Sequence, residues 1–128
     1  MLTTPGAVMV NLQCGEVAED LAAAEAAGVS IWTPPIDLRN DLEDVAALSA
    51  ALDLVIGPGI AGTNLAAAVG ANAWMISAPD DWHYLGTDRY PFYPHLRFFR
   101  RDSFADWEGA IGRIRTALDE AVAAGNTR

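Results

Sequence analysis

A chain of 128 residues with 52% hydrophobic content has the length and the apolar supply for one domain, and a second folded domain is not expected. The net charge is −9 and all eight basic residues are arginine, which excludes a nucleic-acid backbone as partner for want of a basic face. The lack of lysine also excludes a Walker loop, a Schiff base and the phosphate-contacting lysine of a receiver domain. No run reaches the ~18 apolar residues of a membrane span, and the N-terminus lacks the order of a signal peptide, so the expected place is the cytoplasm.

Ala7 to Leu12 is a short apolar run after Pro5-Gly6 and predicts a buried strand. Cys14 follows it. Lacking a second cysteine for a disulfide and any metal-ligand spacing, it is expected as a small core residue. Glu16 to Ala27 repeats Val17, Leu21 and Ala24 at helical spacing, and Gly28 ends that helix. Val29 to Trp32 is a second strand, stopped by Pro34-Pro35. Asn40 with Glu43 forms a capping box for a second helix, whose stripe is Leu42, Val45, Leu48 and Leu52.

Asp53 to Ile56 is a third strand, followed by Gly57-Pro58-Gly59-Ile60-Ala61-Gly62 and a short apolar helix over Thr63 to Val69. Ala73 to Ser77 is a fourth strand. Ala78 to Pro94 reads as a long aromatic loop with room for one helical turn, and His95 to Phe99 as a weaker fifth strand. Trp107, Ile111, Ile114, Leu118 and Val122 mark one face of a last helix, with Asp102 or Ser103 as its cap. Strands alternating with helices predict an α/β, Rossmann-like parallel sheet of about five strands with helices on both faces. Ligands of such sheets bind outside the carboxyl ends of the strands.

Gly57, Gly59 and Gly62 match G-x-G-x-x-G directly after a strand and at a helix start. Free N–H groups there attract an anion, and Thr63 and Asn64 offer side-chain donors. The helix is short for a dinucleotide fold, and Asp80 and Asp81 stand where a ribose ligand is sought, so a tight turn without a ligand remains the competing reading. The loop from Asp80 to Pro94 is too apolar for disorder. Its rings, with Asp88 and Arg89 as polar handles, suit a sugar or a nucleobase, or else fold back on the sheet edge. His83 and His95 belong to no recognisable triad. Gln13 and Gly15 follow the first strand and face the same expected crevice. Asp37, Asn40 and Asp41 follow the second.

The runs Asn11 to Gly15, Asp41 to Leu48, Ala51 to Ile56 and Asn64 to Gly70, with the stretch from Trp82 through Leu85-Gly86-Thr87-Asp88-Arg89-Tyr90-Pro91-Phe92-Tyr93-Pro94 to Phe98, resemble the C-terminal, donor-binding half of bacterial B-type glycosyltransferases. The resemblance is to those fused to tetratricopeptide repeats and to heptosyltransferase-like enzymes. It implies a nucleotide-sugar site at Gln13, Gly15, Pro58, Gly59, Ile60, Ala61, Gly62, Thr63, Asn64, Trp82 and Arg89, with the glycine turn on the diphosphate and neither metal nor cofactor.

The resemblance also implies parts that this chain lacks: an N-terminal acceptor domain and the first strand and helix of the C-terminal half. Where many relatives carry an acidic residue, threonine and a histidine, Gly59, Ile60 and Asn64 stand here. Catalytic residues are therefore not assigned, and the chain alone is expected to be inactive without an acceptor domain. The alternative is a non-catalytic binding or assembly module. Loss of the family's central strand predicts the order 2-1-3-4-5 if its neighbours meet, or edges that favour a homodimer if they do not.

Overall fold

The structure is a computed structural model, and it describes residues 3–125. The described elements are β1 (Met9–Val10), α1 (Ala18–Ala26), β2 (Ile31–Trp32), α2 (Leu42–Ala51), β3 (Val55–Pro58), α3 (Ala61–Ala68), β4 (Ala73–Ser77), β5 (Arg97–Arg100) and α4 (Trp107–Ala123), with a 3₁₀ turn over Trp82–Tyr84. The chain is an α/β protein whose paired strands are all parallel. No described helix is long and apolar enough to cross a membrane.

The expected single sheet is divided. β1 pairs with β2 only, and β3, β4 and β5 form a second sheet in that order. Each expected neighbour relation is present except the one between β1 and β3. The reason lies in what apolar patterning reports. Met9 packs on the core that α4 covers, around Trp74, Phe99, Ile114 and Leu118, whereas Leu12 packs on the core of Val55, Ala66, Ala67 and Met75. The stretch around β1 thus feeds the cores on both faces of the larger sheet. Burial is non-directional and holds it there, whereas ladder bonds need aligned backbone, which only β2 supplies.

β4 is the centre. Ala73, Trp74 and Met75 are buried, as is Ser77, because α3 covers one face of the strand and α4 the other. The α4 stripe runs through Ala110, Ile114, Ala117 and Leu118, so Trp107 and Ile111, expected on the buried face, lie 46% and 40% exposed. Small residues let this helix approach the sheet closely. Its cap is Asp106, which accepts from the backbone N–H of Gly109, not Asp102 or Ser103. The capping box at α2 is also absent: Asn40 bonds back to Asp37 and Asp41 takes the cap position without a side-chain bond.

The first unit is less well anchored. α1 buries no residue, Leu42 of α2 is 59% exposed, and Cys14 lies at the surface. Charge divides in the same way: residues 1–53 carry nine acidic side chains and one arginine, and residues 54–128 carry eight acidic side chains and seven arginines.

Candidate functional site

The glycine turn spans the end of β3 and the start of α3. None of Gly57, Gly59 and Gly62 has a positive φ, so the motif does not depend on left-handed backbone. Gly57 is required for a different reason: a Cβ there would run into the hydroxyl oxygen of Thr63. Thr63 is buried and turned toward the strand. At Gly62 an added Cβ would meet nothing, since the first turn of α3 is open to solvent. Ile60, at the cap position, makes no side-chain cap bond, and the N–H groups of Ala61, Gly62 and Thr63 find no acceptor among the described residues. The first two of these donors, at the positive end of the helix dipole, belong to exposed residues, on a surface formed by Pro58, Gly59, Ile60, Ala61 and Gly62.

Asn64 is already engaged. Its Nδ2 donates to the carbonyl of Ile60 at 3.0 Å and its Oδ1 accepts from the Tyr90 hydroxyl at 3.2 Å. That second bond docks the aromatic loop on the first turn of α3. Tyr90 is buried and packs edge-on against Phe92, Tyr93 and Phe98. Burial, with Tyr93 and the Asp81 charge nearby, raises its pKa above the ordinary value. Tyr84 is buried as well; its hydroxyl meets Ser77 Oγ at 2.5 Å, and the Arg100 guanidinium lies 4.0 Å over its ring. The loop's rings thus divide: Tyr84, Tyr90 and Tyr93 cover the sheet, whereas Trp82 and Phe92 are 69% and 60% exposed.

Sequence reasoning missed the partner of His83. Nδ1 of the ring meets Oδ1 of Asp81, an oxygen that also accepts from the His83 backbone N–H at 3.0 Å. The ring stacks on Trp82 at 3.9 Å and stands edge-on to Tyr90 at 5.0 Å. The signal was the Asp-x-His spacing, hidden because Asp81 reads first, with Asp80, as a candidate ribose ligand. His95, by contrast, sets Nε2 on the carbonyl of Ala67 at 3.2 Å and is a satisfied structural residue.

The structure brings the turn and the loop together but leaves other expected residues apart. Gln13 and Gly15 are exposed, and no hydrogen bond joins them to the glycine turn among the described residues; Gln13 closes a local turn on Asn11 Oδ1. Among the described residues, the exposed Arg89 side chain pairs only with Asp88, at 3.7 Å. Asp37 accepts from the Asn40 amide and from the N–H groups of Arg39 and Asn40, which together hold its pKa below the usual carboxylate value. Two surface grooves lie elsewhere, one of about 400 Å³ along β5 and α4 and one of about 620 Å³ between α1 and β2.

Neither a protein-family model nor a solved structure matches the chain. It is similar to Protein FlbA of Caulobacter vibrioides, with 50% identity over 125 residues; the match covers 96% of this chain and 21% of that protein, so the chain spans about a fifth of its relative's length.

Proposed function

We propose that the chain is the nucleotide-sugar-binding part of a glycosyltransferase of the B-type fold, with the diphosphate on the glycine turn. The observation that carries this reading is the Tyr90 to Asn64 bond, which seats the aromatic loop on the first turn of α3. An anion on the N–H groups of Ala61, Gly62 and Thr63 would then lie beside rings suited to a sugar or base. In the complete enzyme those donors neutralise the diphosphate as it leaves. On this reading the acceptor half lies outside the matched chain, which spans about a fifth of its relative's length. Calorimetry against UDP, GDP, ADP and their sugars tests the reading, with Gly62→Val as control because a side chain there blocks the surface without meeting the core. No binding at millimolar concentration ends it.

A second reading, an assembly module, is favoured by the edges of β1 and β3 that have no ladder partner among the described residues. Two copies would pair along them. Sedimentation analysis decides: a concentration-independent monomer excludes pairing.

A further inference from the structure

β5 is an edge strand: it pairs with β4, and no strand lies on its other side among the described residues. The N–H of Arg101 donates to the Ser77 carbonyl, so by alternation the backbone of Phe99 also turns to β4, while the N–H and C=O of Phe98 and the N–H of Arg100 turn outward. A groove of about 400 Å³ follows this strand, with Arg113, Thr116 and Glu120 of α4 on its far wall. Two exposed arginines, Arg97 and Arg100, line it from the strand. We propose that the outer edge of β5 docks an acidic peptide segment in extended conformation, with carboxylates three positions apart on Arg97 and Arg100. The site is separate from the glycine turn and does not rest on the nucleotide-sugar reading.

The charge here departs from that of the chain as a whole. The net charge is −9, yet Arg97, Arg100, Arg101, Arg113 and Arg115 crowd into β5 and α4 and the turn between them. Among the described residues neither Arg97 nor Arg100 has a carboxylate at ion-pair distance, Glu120 included. Arg113 is already engaged, by Asp102 and Asp106 at 3.4 Å each and by the Arg100 carbonyl at 2.6 Å. Rings hold the other two. The Arg97 guanidinium lies 4.9 Å from the Trp74 ring and 4.8 Å from that of Phe99, and the Arg100 guanidinium 4.0 Å over Tyr84. A guanidinium stacked by its face keeps its in-plane N–H fork for a carboxylate, and it has little freedom left to lose.

Strand geometry sets the spacing. Residues three apart on a strand lie on opposite faces, so Arg97 shares the α4 side with Phe99, and Arg100 shares the other with Phe98, which packs on Tyr84. A strand added beside β5 places its own side chains next to these, face by face. Carboxylates three positions apart then meet both arginines, and carboxylates two apart meet one. The outward carbonyl of Phe98 calls for an N–H donor, which a peptide has and a polyphosphate lacks. Charges on an edge also serve to bar pairing between sheets. A guard of that kind stands out over the edge, whereas these two guanidiniums lie back on rings of β4, β5 and the 3₁₀ turn.

Labelled peptides of valine and threonine with two glutamates are titrated into the intact chain, followed by fluorescence anisotropy and by backbone ¹H–¹⁵N spectra. With glutamates three positions apart, binding should saturate and shift the N–H signals of Phe98 and Arg100. Moving the glutamates to two positions apart should weaken binding about tenfold, as should Arg97→Gln or Arg100→Gln. Glu120→Gln, which removes the groove's acid, should strengthen it. Methylation of the peptide's ladder-facing amides leaves the protein and both charges intact and should abolish binding, so the peptide series decides even if a protein variant misfolds. Binding indifferent to glutamate spacing, binding that survives amide methylation, or an unmoved Phe98 signal overturns the inference. Tripolyphosphate or a single-stranded oligonucleotide that displaces the peptide and shifts the same signals at equal concentration overturns the peptide assignment. Self-association that Arg97→Gln abolishes, with no peptide bound, makes the occupant a second copy and overturns it as well.

Discussion

Tyr90 shows how one side chain ties the candidate site together. Tyr90→Phe removes its bond to Asn64, and we expect a loss of about 1 kcal/mol, as for a typical buried hydrogen bond, measured by urea unfolding. Because burial raises its pKa in the folded state, the stabilisation is complete below the ordinary tyrosine value of about 10 and is lost as pH rises through the higher folded value. Alkaline unfolding of the wild type, absent from the phenylalanine variant over the same range, would show it. Asp106 behaves in the opposite sense. The N–H of Asp102 first, then that of Gly109, hold its pKa low, so its contribution is present above the ordinary carboxylate range and is lost as pH falls through the folded value. In Asp106→Ala, thermal midpoints should fall by a few degrees near neutrality and converge with the wild type in acid. The sequence disclosed Tyr90 as one ring in an aromatic loop, but not its hydroxyl's partner 26 positions away. Contacts of that range leave no local period to read.

At the scale of elements, α3 and its turn separate stability from binding. Gly62 carries no steric duty, so Gly62→Ala should raise stability by roughly 0.5–1 kcal/mol, while Gly57→Ala, which meets Thr63, should lower it. Denaturant midpoints of the two variants decide. Element order and type were legible from apolar spacing, including β4, which is buried on both faces. The α4 face was legible in part: Ile114 and Leu118 are buried and Val122 packs on the core, but Ala110 and Ala117, too small to register in an apolar stripe, are buried too while Trp107 and Ile111 stay outside. Caps were misread for a related cause: several polar residues stand near each helix start, and geometry alone selects Asp106.

Across the whole molecule, cohesion and charge follow the same division. Hydrogen exchange should be slowest in β3, β4 and α4 and much faster in α1, which buries no side chain. Added salt should slow exchange in α1 and α2, where the acidic excess lies. The gap between β1 and β3 also bears on the crevice itself. In a continuous sheet, the loops after neighbouring strands keep a spacing near 4.8 Å per strand. Here the loop after β1 is carried by one sheet and the glycine turn by another, joined through Met9 and Leu12 rather than through backbone bonds. Apolar side-chain packing, not a backbone ladder, therefore sets how these two loops stand to one another.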